Sequence, residues 1–218
     1  MNCEGVNRFL TGEVFRKRSA VGLIILFVVV AIVFSQDVVD YDSLADEIIS
    51  LGGTKRVPAL CVHLGCSDGG LTSALADKGK YLVHGLCVDS SYVEQAREYL
   101  MERRQYGQVS VSYFKGPYFA YAENLVNLLV VDKLSKVSES GINLGDVVRV
   151  LVPNGMAFFG QSSGSESELR AILDGAGIQG YEVIQGEQIL WARYKKPRSV
   201  EMGECTHRNY DAGWTYVS

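Results

Sequence analysis

The chain predicts an α/β fold, a doubly wound and mostly parallel sheet covered on both faces, and three observations predict it. Apolar runs short enough to be strands alternate with stretches of helical periodicity from residue 43 to residue 194, the pattern of helices crossing between parallel strands. Several of those runs are apolar nearly throughout, as in strands buried on both faces. The 218 residues, 47% hydrophobic and 21% charged, supply one sizeable core and are too few for two large domains. With 23 Gly, 4 Pro and no Gly-x-y period, collagen-like, mucin-like and broadly disordered classes are excluded.

Ser43 to Leu51 reads as a short helix, capped by Asp42 or Ser43, with Leu44, Ile48, Ile49 and Leu51 as its apolar stripe and Gly52-Gly53 as its stop. Val57 to Leu64 is a buried strand with Pro58 at its start, where a missing amide donor is tolerated. Gly69 to Lys78 carries Leu71, Ala74 and Leu75 at helical spacing before Gly79. Tyr81 to Val88 is the second strand, Ser91 to Arg104 a polar helix, and Val109 to Phe114 the third strand. Leu125 to Val131, apolar except for Asn127, is the fourth. The segment Gly141 to Leu151 has helical periodicity, Gly155 to Phe159 is a fifth strand, and Ser165 to Ala176 is a helix. Tyr181 to Ile184 and Gln188 to Tyr194 are closing strands, and no internal repeat occurs.

At the N-terminus Arg16-Lys17-Arg18 precedes Ala20 to Phe34, fifteen residues without a charge. At ~1.5 Å per residue the run covers roughly 22 Å of a ~30 Å hydrocarbon core, short for a span and suited to the apolar region of an export signal. Residues 1–35 therefore read as a signal peptide cut before Gln36 or, uncleaved, as a signal anchor holding the chain in a membrane through residues 20–34. A buried helix of the domain is disfavoured by three adjacent cations and a run apolar on all faces. Either export reading sends residues 36–218 across the cytoplasmic membrane, to a periplasmic or membrane-anchored location. Residues 36–54 are a linker and short helix, 55–196 the domain, and 197–218 a polar, aromatic tail without period.

The net charge of −4 comes without the basic stripe that a phosphate backbone demands, so nucleic acid is excluded as a partner. Five cysteines, at 3, 61, 66, 87 and 205, form an odd set without a Cys-x-x-Cys pair and define no disulfide framework. Cys61, His63, Cys66, His84 and Cys87 fall on the first two strands and the loop between. Zinc would need them to converge, whereas strand alternation sends His84 and Cys87 to opposite faces, so no metal is expected. Buried small cysteines and a Cys66–Cys87 disulfide in an oxidising compartment both stay open.

Ligands of doubly wound folds bind beyond the carboxyl ends of the strands, which directs attention to His63-Leu64-Gly65-Cys66-Ser67-Asp68-Gly69-Gly70. Glycines at 65, 69 and 70 let the backbone approach a ligand and turn into a helix whose N-terminal amides face it. Twenty-four residues after Gly65, Asp89 ends the second strand with Ser90 beside it, where a carboxylate accepts ribose hydroxyl protons. The pairing points to a nucleoside-containing ligand.

These residues resemble the class I S-adenosylmethionine-dependent methyltransferases, especially the type 11 branch. Val62-His63-Leu64-Gly65-Cys66-Ser67-Asp68-Gly69 is similar to the first motif, Gly85-Leu86-Cys87-Val88-Asp89 to the second, Leu125 to Val131 to the fourth strand, and Val152-Pro153-Asn154-Gly155 to the turn before the fifth. The resemblance implies a Rossmann-like fold, S-adenosylmethionine as cofactor, a small-molecule or protein methyl acceptor, and binding through His63, Gly65, Cys66, Ser67, Gly69, Asp89 and Ser90. Four family positions differ: the first-motif acid is His63, the middle glycine is Ser67, the acid of the fourth strand is Asn127, and the acid after the third strand has no equivalent around Phe114-Lys115-Gly116. Asp68 or Asp132 offers a replacement charge. Lys196-Pro197-Arg198, Glu204-Cys205-Thr206-His207 and Tyr210-Asp211-Ala212 resemble the junction in exported bacterial proteins where such a domain precedes a quinoprotein-like β-propeller.

Two functional expectations follow from the resemblance: a methyltransferase-like domain with weakened or lost cofactor binding, or a non-catalytic exported interaction domain, a fragment of a propeller protein whose propeller is a separate partner. Ser163 lacks the glycine two positions earlier that a nucleophile elbow requires, which excludes that hydrolase class. Tyr113, Phe114, Tyr118, Phe119 and Tyr121 either line a pocket or pack in core and loops.

Overall fold

A computed structural model describes residues 39–52, 59–79, 81–162 and 165–198. The expected signal segment, Pro58, Ser163, the tail from residue 199, Cys3 and Cys205 lie outside the described residues. Among the described residues, no helix is long and apolar enough to cross a membrane.

Helix α1 (Tyr41–Gly52) precedes β1 (Leu60–Leu64), α2 (Gly70–Gly79), β2 (Leu82–Cys87), α3 (Tyr92–Glu102) and β3 (Val109–Tyr113). The chain then returns across the sheet to β4 (Val126–Val131), α4 (Leu134–Glu139), α5 (Asp146–Val150), β5 (Leu151–Gln161), α6 (Glu166–Gly175), β6 (Glu182–Gln185) and β7 (Leu190–Lys195). The strand order is β3-β2-β1-β4-β5-β7-β6, so β1 is central and the order reverses beside it. Strands β1 to β5 pair in parallel, and β7 runs antiparallel between β5 and β6. The sheet is Rossmann-like and mixed, and its reversal point lies between β1 and β4, where ligands of open α/β sheets bind.

Alternate residues along each strand feed two separate cores. Cys61, Val83, Leu128, Val130, Phe158 and Trp191 pack beneath α1, α2 and α3, which contribute Leu44, Ile48, Leu71, Leu75, Ala96 and Leu100. Val62, Leu64, Leu86, Leu129, Val131 and Phe159 pack beneath α4, α5 and α6 with Leu134, Val137, Val147, Leu169 and Leu173. Every one of these is buried, so the helices are held by their apolar faces and the sheet is covered on both sides.

Two local differences from the sequence reading have physical causes. Asp40, rather than Asp42 or Ser43, caps α1: its Oδ1 accepts from the Asp42 and Ser43 amides at 3.1 and 3.2 Å. The expected helix over Gly141–Leu151 is confined to Asp146–Val150, because Gly141 turns left-handed at φ +78° and the Asn143 amide is drawn to the Pro117 carbonyl, 2.8 Å away. Helix α4 had no expected counterpart, and β5 begins at Leu151 rather than Gly155, with a register irregularity against β4 between Val126 and Leu128.

Candidate functional site

Beyond Leu64 the chain turns at Gly65, whose φ of +93° is a conformation that L side chains rarely adopt. A Cβ there would stand 3.0 Å from Val137 Cγ2. The Gly65 and Cys66 amides both donate to the Leu86 carbonyl, at 2.9 and 3.2 Å, which hooks the loop onto β2. At its far end Gly69 (φ +86°) lies against the Ala96 backbone of α3. Asp68 fixes the turn between them: its Oδ1 accepts from the Gly70 amide (3.0 Å) and its Oδ2 from the Tyr41 hydroxyl (3.0 Å).

This loop forms one wall of a cleft of about 250 Å³, lined by Gly65, Cys66, Ser67 and Asp68. Val88, Tyr92 and Gln95 close it on the α3 side, and Lys133, Lys136 and Val137 on the α4 side. Lys133 Nζ donates to Ser67 Oγ at 2.8 Å. The cleft thus carries opposite charges, the Asp68 carboxylate on one wall and two ammonium groups on the other. A second cavity of about 240 Å³, with Tyr113, Phe114, Lys115 and Ile142 in its walls, lies at the end of β3 and shares Val88 with the first. Side by side, the two match the size range of pockets for nucleoside-sized ligands.

Behind the loop lies a buried polar chain. The His63 ring donates from Nε2 to Asp132 Oδ1 (3.1 Å), and its Nδ1 meets Thr72 Oγ1 (2.7 Å), which donates to Cys66 Sγ (3.2 Å). Burial alone would depress the His63 pKa, but the hydrogen bonds and charges of Asp132 and Cys66 outweigh it and raise it to about 9. Asp132, 4% exposed, responds in the complementary direction. Burial pushes its carboxyl up, while the hydrogen bond and charge of His63 and the charge of Lys133, 3.7 Å from its Oδ2, bring it below the usual carboxylate value. Cys66 is held below an ordinary thiol, chiefly by the Cys87 thiol donating to it and then, against burial, by His63 and Thr72. Asp132, His63, Thr72 and Cys66 thus form one buried polar line in which the His63 pKa is raised and those of Asp132 and Cys66 are lowered.

The seven residues expected to form a cofactor site divide into three groups. Gly65, Cys66 and Ser67 line the cleft. His63 and Gly69 lie behind it, His63 with both ring nitrogens engaged. Asp89 and Ser90 stand exposed at the rim just beyond β2, and Asp89 Oδ1 accepts from the Ser91 amide at 2.9 Å, which lowers its pKa. Asn127 fills a structural place, accepting the Leu60 amide at 2.9 Å. His84 is turned to the opposite face from Cys87, held by the Tyr121 hydroxyl at 2.6 Å and Ser112 at 2.7 Å. Cys61, Cys66 and Cys87 are free thiols, and among the described residues no three His, Cys, Asp or Glu side chains are placed to hold a metal ion. Of the aromatic residues, Tyr113 and Phe114 line the second cavity, Phe119 is buried, stacked on Tyr121 and tilted against Phe114, and Tyr118 is exposed.

Sequence reasoning passed over Lys133 and Tyr41. The strand-end rule that selected Asp89 after β2 would have selected the Asp132-Lys133 pair after β4; nothing in the sequence marks Tyr41, which reaches the loop from a helix 27 residues before Asp68.

No protein-family profile and no curated sequence matches the chain. Solved structures do match it. A candidate S-adenosyl-L-methionine-dependent methyltransferase of Methanococcus maripaludis superposes with a TM-score of 0.62 at 17% identity, over 74% of this chain and 87% of that one. An S-adenosylmethionine-dependent methyltransferase of Aquifex aeolicus gives 0.53 at 16%, over 72% and 88%. The fold is that of the class I methyltransferases. The [4+2]-cyclase SpnF also superposes, with a TM-score of 0.53 at 19% identity over 66% of this chain and 59% of its own, so this fold is not confined to proteins named as methyltransferases.

Proposed function

We propose that the chain is an S-adenosylmethionine-binding domain of methyltransferase type. The observation that carries the reading is the cleft at the end of β1, where Asp68 faces Lys133 and Lys136 and the space continues past Val88 toward β3. S-adenosylmethionine joins an α-amino carboxylate to an adenosine, and it supplies a methyl group on a sulfonium for transfer to an acceptor nucleophile. Asp68 suits its ammonium and Lys133 its carboxylate, a pairing that offers the charge match which an acid at position 63 supplies in the family the sequence resembles. Gly65, Cys66 and Ser67 give the methionine half a wall without bulk, Gly69 brings α3 close to the loop, and Asp89 with Ser90 stands at the rim for the ribose. His63 acts on the site indirectly, through Asp132 on one side and through Thr72 and Cys66 on the other. The S-adenosylmethionine dependence of the Methanococcus and Aquifex neighbours supports the same cofactor.

Isothermal titration of the full chain with S-adenosylmethionine and S-adenosylhomocysteine tests this. Binding is expected, weakened ten- to a hundredfold by Asp68→Asn or Lys133→Met, as loss of a charge-assisted contact worth about 1.5–3 kcal/mol requires. No heat at millimolar ligand would leave the second reading, a non-catalytic interaction domain. That alternative draws on the Lys133–Ser67 bond, which ties the two walls of the cleft together.

We infer further that the domain works outside the cytoplasm, sent there by residues 1–35, and that residues 197–218 adjoin a separate propeller partner. The support is the cationic and apolar N-terminal pattern and the tail composition. A periplasm-dependent reporter fused after residue 60 should be active; activity only from a cytoplasmic reporter would overturn it.

A further inference from the structure

Helix α1 precedes the strand-and-helix repeat that builds the sheet, yet it is fastened on two sides. On one side it grips the turn between β6 and β7. The Asp40 amide donates to Gln188 Oε1 at 3.1 Å and Gln188 Nε2 to the Asp40 carbonyl at 3.2 Å, while the Glu187 amide and the Trp191 indole donate to the Glu47 carboxylate at 3.3 and 3.4 Å. On the other side it meets the loop after β1. The Tyr41 hydroxyl donates to Asp68 Oδ2 at 3.0 Å, and a Cβ on Gly70 would collide with the Tyr41 ring, so the ring fills the space that a side chain at position 70 would take. Burial and the Asp68 charge both raise the Tyr41 pKa, which keeps the hydroxyl protonated and a donor.

We propose that Tyr41 is a positioning residue of the cofactor site, holding the Asp68 carboxylate in the orientation that receives the ammonium of the methionine half. The proposal rests on the cofactor reading above and extends that site to a residue of α1. Asp68 lines the cleft and is held at both oxygens, Oδ1 by the Gly70 amide and Oδ2 by the Tyr41 hydroxyl. An ionised carboxylate has about four lone-pair sites, so the two bonds leave capacity for a ligand donor while they stop the group from rotating. A carboxylate already oriented pays less ordering cost when the ammonium arrives. The Gly70 amide belongs to the same turn as Asp68 and moves with it. Tyr41 supplies a fixed point from a separate element, one that the β6–β7 turn braces from behind.

Two probes separate this role from a merely structural one: S-adenosylhomocysteine, which carries the amino acid half, and 5′-methylthioadenosine, which carries the nucleoside and thioether without it. In calorimetric titration of the full chain, Tyr41→Phe should weaken S-adenosylhomocysteine about three- to tenfold, the scale of one hydrogen bond, and leave methylthioadenosine unchanged. In the Asp68→Asn background the same substitution should cost nothing further, because the carboxylate it positions is gone; this cycle decides by itself where methylthioadenosine binds too weakly to measure. Gly70→Ala, which forces the ring off the loop without altering either partner of the bond, should show the same selectivity and keeps the test open if Tyr41→Phe does not fold. Equal loss for both probes, no loss for either, or a full additional loss in the Asp68→Asn background would overturn the role of Tyr41 while wild-type binding of S-adenosylhomocysteine upholds the cofactor reading. A wild type that binds neither probe would refute that reading and this role with it.

Discussion

Replacing Asp132 by Asn keeps the shape of the His63 partner and removes its charge, which makes the buried pair testable through stability alone. The imidazole of His63 titrates at 6.5 when free and at about 9 in the fold. A pKa raised by folding contributes stability that is present in full below 6.5 and is lost as pH climbs through 9. At ~1.4 kcal/mol per pH unit the contribution is about 3 kcal/mol, within reach of the 3–5 kcal/mol typical of breaking a buried pair. Cys66 works in the opposite sense: its lowered pKa contributes stability that is present at high pH and fades as pH falls through its folded value. The wild-type profile should therefore be flat between about pH 6.5 and 9, and the informative quantity is the difference between wild type and variant at each pH. Urea denaturation, followed by the fluorescence of buried Trp191, should give Asp132→Asn a penalty of about 1–3 kcal/mol at pH 7, Cys66 still holding part of the His63 shift, or roughly 2–12 °C in Tm. By pH 10 the His63 ring is neutral in both proteins and the penalty should shrink toward zero. A penalty below about 1 kcal/mol at pH 7, or one equal at pH 7 and pH 10, would show that His63 carries no charge in the native state.

Gly65→Ala should cost about 1–2 kcal/mol in denaturant melts, because it forces a side chain into φ +93° with Val137 Cγ2 at 3.0 Å, and should weaken S-adenosylmethionine at least tenfold; unchanged affinity would place the ligand elsewhere. Asp146→Ala should cost about 2 kcal/mol, since Asp146 accepts from the Phe119 amide at 2.9 Å and anchors Arg149, which in turn donates to the Tyr121 and Phe119 carbonyls at 2.9 and 3.0 Å. A loss below about 0.5 kcal/mol would mean that the aromatic segment is held by packing alone.

The strand and helix order was legible because its signals are local. The mostly apolar runs Val57 to Leu64 and Leu125 to Val131 contain the observed strands Leu60–Leu64 and Val126–Val131, and Ser165, the expected start of a helix, caps it by accepting the Glu168 amide at 3.3 Å. What failed to show was short or tertiary. Helix α4 spans six residues with Leu134 and Val137 as its only buried contacts, too little for a period to register. The helical pattern from Gly141 is overruled by the contact of Asn143 with Pro117, which joins segments distant in sequence. Antiparallel β7 inserts between β5 and β6, an order that strand composition does not encode.

The charge arrangement of the site was half legible for the same reason. A motif reads along one strand, and along β1 the expected acid is simply missing. A parallel sheet places its charges across strands: His63 stands opposite Val130 in the β1–β4 register, so the first residue past β4, Asp132, falls beside the ring although 69 positions separate them. The buried carboxylate of this chain thus stands on the neighbour of β1, and the histidine on β1 donates its Nε2 proton to it. That contact governs what an acid at position 63 would meet. His63→Asp alone would set two carboxylates against each other in a buried site, a like-charge contact that costs more than the lost hydrogen bond. An acid at 63 is compatible with the fold only after Asp132 has been neutralised, so the double variant His63→Asp, Asp132→Asn should be more stable at pH 7 than His63→Asp, and the opposite order would mean that the two side chains do not interact.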